Sequence, residues 1–146
     1  MSAPQAQDNP FTPLWIAQLA TPPILAAVGY FLFAGNAGEV EPAMIERMTY
    51  APLVVAVLVI PALLFRSRYR ERLARLGLEW RQGRNDAGTQ GSAMTALAIG
   101  VALCDLPMLV GFLAYLASGV LSVLLVSCAA SLALLVLYRP DLDPVN

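Results

Sequence analysis

From Met94 to Ala117 the chain runs for 24 residues with one charged side chain, Asp105. A helix needs roughly 20 apolar residues to cross a bilayer, so this stretch alone points to a membrane. It is one of four apolar blocks. The others run over 14–34, from about Ala43 or Tyr50 to Phe65, and from Val120 to Tyr138. The stretches between them leave no room for a separate soluble domain. Only 13% of the residues are charged, against about a quarter in soluble domains. The expected fold is an all-α membrane protein with four transmembrane helices arranged as two hairpins.

The charges that remain set the expected orientation. There are nine arginines and no lysine, and seven of the nine (Arg66, Arg68, Arg70, Arg72, Arg75, Arg81, Arg84) lie in one short segment. Basic loops stay on the cytoplasmic side. The 66–84 segment and Arg139 are therefore expected inside, with both termini. The connection 35–49, which carries Glu39, Glu41 and Glu46, and the Ser118-Gly119 turn are expected outside. Met1 to Pro10 has no basic residue and no small-residue cleavage site comes after it, so the first block is expected to be retained.

In chain order, 1–13 is a polar, proline-containing lead. A first transmembrane hairpin is expected over 14–65, an arginine-rich cytoplasmic amphipathic loop over 66–92, a second hairpin over 93–139, and a short tail over 140–146. Gln18, Thr21, Pro22 and Pro23 interrupt the first block, and the Pro-Pro pair should kink it. Within the loop, Tyr69, Leu73, Leu76 and Trp80 recur at helical spacing. This predicts a helical extension of the second span. Its apolar stripe, with Trp80, and its cations Arg66, Arg68, Arg72 and Arg75 are expected to face membrane lipid or a partner subunit. Gln82 to Ser92, rich in glycine, reads as a flexible linker. Ser118-Gly119 is so short a turn that the helices on either side must run antiparallel.

Asp105 is the candidate site. An acid at mid-membrane costs on the order of 2.5–3.5 kcal/mol on insertion scales, so it is neutralised, paired or functional. Pro107, two residues on, frees the carbonyl of Leu103 from its helical partner. Gln18, Thr21, Tyr115 and the serines of the fourth block are the polar partners on offer. Sliding the chain by 84 residues lays Leu19, Pro23, Leu25, Leu32 and Gly35 over Leu103, Pro107, Leu109, Leu116 and Gly119. That pattern suggests a parallel internal repeat, in which Thr21 stands where Asp105 stands in the second copy.

Asp105-Leu-Pro-Met-Leu-Val-Gly-Phe-Leu-Ala-Tyr115 resembles the carboxylate helix of the rotor-ring proteolipid, subunit c, of rotary ATPases. The resemblance covers about twenty residues and implies Asp105 as a proton-carrying acid. Three features depart from that family, one being extra spans at both ends. The helix before Asp105 is valine-rich where a glycine-repeat helix would stand, and the cytoplasmic loop is much longer. The chain is also similar to small bacterial four-helix membrane proteins whose third helix carries an acid-x-Pro pattern, which implies the bacterial inner membrane.

Other chemistries find no support in the sequence. Histidine is absent. The two cysteines, Cys104 and Cys128, lie inside apolar blocks with no companion ligand. No nucleophile–base pair or phosphate loop is present. No enzyme activity, cofactor or metal is expected. A net charge of −1 gives no reason to expect nucleic acid. The leading expectation is a structural or accessory subunit that contacts lipids and other membrane subunits or itself. The alternatives are a proton- or cation-translocating subunit using Asp105, and binding of lipid or a small apolar ligand.

Overall fold

The computed structural model describes residues 11–34, 46, 49–84 and 86–140. The lead up to Pro10, most of the acidic 35–49 connection and the 141–146 tail lie outside the described residues. Among the described residues the chain forms α1 (Phe11–Leu19), α2 (Thr21–Ala34), α3 (Ala51–Arg81), α4 (Ala87–Ser118) and α5 (Leu121–Leu137). Among the described residues, three stretches are long and apolar enough to cross a membrane: Phe11–Phe33, Ala51–Arg81 and Ala87–Ser118, of 23, 31 and 32 residues. The fourth apolar helix, α5, has 17 residues.

The first block divides at Ala20, just ahead of the proline pair. Proline is tolerated in the first turn of a helix, where its missing N–H has no partner to lose. α2 therefore starts at Thr21 with Pro22 and Pro23 in that turn. α4, by contrast, runs unbroken through Pro107, so the two segments matched by the 84-residue shift take different paths.

α4 is the central element. In its most apolar window 39% of residues are buried, against 11% in each of the other two long stretches. Its buried residues include Ala93, Leu97, Gly100, Cys104, Met108, Gly111 and Tyr115, three or four apart along one face. α5 folds back along that face. Gly119 makes the reversal possible with φ 71°, a left-handed conformation natural to glycine. The Ser118 hydroxyl donates to the Ala114 carbonyl at 2.7 Å and accepts the Val120 amide at 3.3 Å.

The remaining helices pack on this α4–α5 hairpin. α1 and α2 run parallel to α4: Phe11 shares a surface cavity with Ala87 and Met94, Gln18 meets Asp105, and Phe33 meets Tyr115 with ring centroids 5.8 Å apart. α3 runs the other way. Its start shares a groove with Ser122 and Val126 of α5, and Glu79 near its end accepts the Thr89 hydroxyl at 3.0 Å. Among the described residues, α2 and α3 make next to no contact with each other. The expected first hairpin is thus not a packed pair. Its two arms are held by α4 and α5 instead.

The amphipathic segment also differs from expectation. Tyr69, Leu73 and Leu76 are buried, in one cluster with Ala93, Ala96 and Leu97 of α4, and Trp80 packs against that cluster. The apolar stripe faces the chain's own fourth helix rather than lipid or a partner, because the small Ala93 and Ala96 admit the larger side chains. The glycine-rich linker is correspondingly shorter: α4 starts at Ala87 rather than Ala93. Asp86 caps it, accepting the Thr89 amide at 3.2 Å. Hydrogen bonds from the Gly88 and Thr89 amides hold the Asp86 carboxyl below its ordinary range.

The end of α5 is tied down by side chains from two other elements. The last carbonyls of a helix lack helical donors. Here Trp15 Nε1 of α1 donates to the Leu135 carbonyl at 2.8 Å, and the Tyr69 hydroxyl of α3 donates to the Tyr138 carbonyl at 2.9 Å. Tyr138 itself lies over Gly100, stacks on Tyr69 at 4.9 Å and donates its hydroxyl to the Ala62 carbonyl.

Candidate functional site

Asp105 sits half-buried on α4, on the side facing α1. Gln18 Nε2 donates to Asp105 Oδ2 at 2.5 Å. The contact joins residues 87 positions apart, and Gln18 lies in the last turn of α1, just before the break at Ala20. The break and the site are thus one piece of construction: α1 ends where its amide meets the acid. Glutamine offers both a donor and an acceptor. The pair can close whether or not Asp105 carries its proton.

The other oxygen, Asp105 Oδ1, is buried and has no hydrogen-bond partner. None of the remaining expected partners serves it. Thr21 makes no hydrogen bond to Asp105 among the described residues, and Tyr115 packs edge-on against Phe33. Ser131 is used elsewhere, its hydroxyl accepting the Met108 amide at 3.0 Å. That bond anchors the backbone directly after Pro107, which is buried. Ser127 Oγ is also buried without a partner, pressed against Gly111.

The structure therefore brings together Gln18, Asp105 and the Pro107 turn. Pro23 is exposed, and Thr21 is half-buried. Arg66 is half-buried, while Arg68, Arg72 and Arg75 are exposed on the outer face of α3. Trp15, Tyr69, Tyr138 and Ser131, which make interhelical hydrogen bonds, and Gly111, where α4 closely approaches Ser127, do not stand out as site residues in the sequence. A signal for the aromatic ones is present all the same: a Trp or Tyr inside an apolar block needs a polar partner.

A single carboxyl facing a single amide is limited chemistry. Among the described residues no group of three His, Cys, Asp or Glu side chains could hold a metal. Both cysteines are free thiols, Cys104 buried in the core. Comparison with protein-family models, curated proteins and solved structures found no match to this chain. The functional reading rests on the geometry around Asp105.

Proposed function

We propose that this is a four-crossing membrane protein that serves as a structural subunit of a larger membrane assembly, with Asp105 acting as an interhelical tie. The observation that carries this reading is the Gln18–Asp105 hydrogen bond. It engages the one acid of the apolar core with a neutral partner on the same chain. The broad apolar faces of α2 and α3 support it further: Phe31, Leu53 and Leu64 are 77, 68 and 72% exposed, surfaces suited to acyl chains or neighbouring subunits. α5 is counted as the fourth crossing because it returns along α4 from a tight turn. If α4 spans, its antiparallel partner takes the same path back.

The rival reading is a proton or cation site, favoured by the unpartnered Asp105 Oδ1. Reconstitution of the full chain into liposomes separates the two. The structural reading expects proton conductance equal to that of empty liposomes, unchanged by Asp105→Asn. A conductance above that level, abolished by Asp105→Asn in a folded protein, would establish the rival.

The arginine cluster supports an orientation with the 66–84 segment and both termini in the cytoplasm. In a variant lacking Cys104 and Cys128, cysteine introduced at Gly38 should react with an impermeant thiol reagent in intact cells. Cysteine at Gly88 should react only after lysis. Labelling of position 88 from outside would reverse the orientation.

A further inference from the structure

α3 and α4, at 31 and 32 residues, are each about 46–48 Å long at 1.5 Å per residue. They exceed the roughly 30 Å of a hydrocarbon core. The charged part of α3 begins at Arg66, three residues before Tyr69. Here the end of α5 meets α3. The Tyr138 hydroxyl donates to the carbonyl of Ala62, one turn before Arg66, and the Tyr138 carbonyl accepts from Tyr69, three residues after it. Arg139 is the next residue and is exposed. One residue, Tyr138, thus brings two arginines from distant parts of the chain to one corner.

Arg66 Nε is buried with no hydrogen-bond partner, an orphan of the kind that calls for an acceptor. The Leu135 and Tyr138 carbonyls of α5 receive Trp15 and Tyr69. Among the described residues, no acid at this end of the molecule reaches Arg66 Nε. Glu79 accepts from Thr89, Asp86 caps α4, and Glu71 lies on the outer surface. Exposed apolar residues precede each arginine, Leu63 and Leu64 before Arg66, and Val136 and Leu137 before Arg139.

We propose that Arg66 and Arg139 together bind the phosphate of an anionic phospholipid, whose acyl chains lie on the apolar residues below them. A guanidinium presents paired donors that match phosphate oxygens. The exposed Arg68, Arg70, Arg72 and Arg75 add a field that draws anionic lipid to this face. The adjoining apolar surface selects a lipid over soluble phosphate. This goes beyond the role given to Asp105 and stands or falls separately from it.

The test uses the full chain in phosphatidylcholine micelles, titrated with phosphatidylglycerol and read by native mass spectrometry. The wild type should retain phosphatidylglycerol in preference to phosphatidylcholine. The Arg66→Gln/Arg139→Gln variant should bind it about tenfold or more weakly, given the worth of a cation near the membrane surface. The Arg72→Gln/Arg75→Gln pair loses the same charge but, as a pair that adds only to the diffuse field, should weaken binding clearly less than the first pair. If the first pair fails to fold, Arg139→Gln alone, at an exposed position, carries the test by losing the preference. Equal loss in both pairs, no preference in the wild type, or retention of inorganic phosphate as readily as lipid would each overturn the proposal.

Discussion

Gly111→Leu should separate α4 from α5 and cost more stability than any other single substitution in the membrane core. A Cβ added at Gly111 would overlap both Oγ and Cβ of Ser127. Serine is too short to swing its Cβ aside, so the helix backbones themselves must move. Helix association in a bilayer depends on close packing through small residues, since lipid tails are as apolar as the side chains. Overpacking of this kind costs typically about 1–3 kcal/mol, and a leucine should lie at or above that range. Thermal unfolding in detergent reads the effect. Gly91→Leu supplies the control, since nothing lies within 4 Å of a Cβ there. Gly111→Ala should lose stability and regain most of it with Ser127→Gly, which empties the space the new methyl needs. A Gly111→Leu variant as stable as the Gly91→Leu control would mean that the two helices do not meet at this point.

The second large effect is at Asp105. Replacement by leucine leaves the Gln18 amide half-buried with no acceptor in view, which costs about 1–3 kcal/mol by analogy with other orphaned polar groups. Replacement by asparagine keeps the shape and an oxygen for the Gln18 donor, and should cost little. The order expected for stability in detergent is wild type and Asp105→Asn close together, Asp105→Leu well below. The break at Ala20 makes this contact more than local. Without it α1 loses its described hydrogen bond to α4 and keeps that of Trp15 to α5, so Asp105→Leu should also raise proteolysis near Ala20.

Much of this arrangement is legible in the sequence, and the part that is not has a physical cause. The helices follow from apolar block length, and the α4–α5 hairpin from Ser118-Gly119. Gln18 stands among the expected partners of Asp105 because it is the one long polar amide of the first block. The packing order is hidden. In lipid the outward face is as apolar as the inward face, so α2 and α3 carry no pattern telling which neighbour each prefers. The break falls at Ala20, ahead of the proline pair, because proline disturbs the turn before it and fits the first turn of the next helix. The stripe Tyr69, Leu73, Leu76 is visible as a helical face, yet its cover is not. The small residues Ala93 and Ala96 that receive it lie at the edge of a stretch that glycine and polar side chains mark as a linker.

The central claim is that Asp105 is a tie to Gln18, and a double-mutant cycle addresses it directly. Unfolding free energies of the wild type, Gln18→Leu, Asp105→Leu and the double variant would be measured in one detergent or nanodisc. Polar pairs between membrane helices contribute about 0.6 kcal/mol on average and up to about 1.7. For a pair at 2.5 Å, a coupling near the upper part of that range is expected, with the double variant less damaged than the sum of the singles. Strictly additive losses, with no coupling between the two positions, would contradict it.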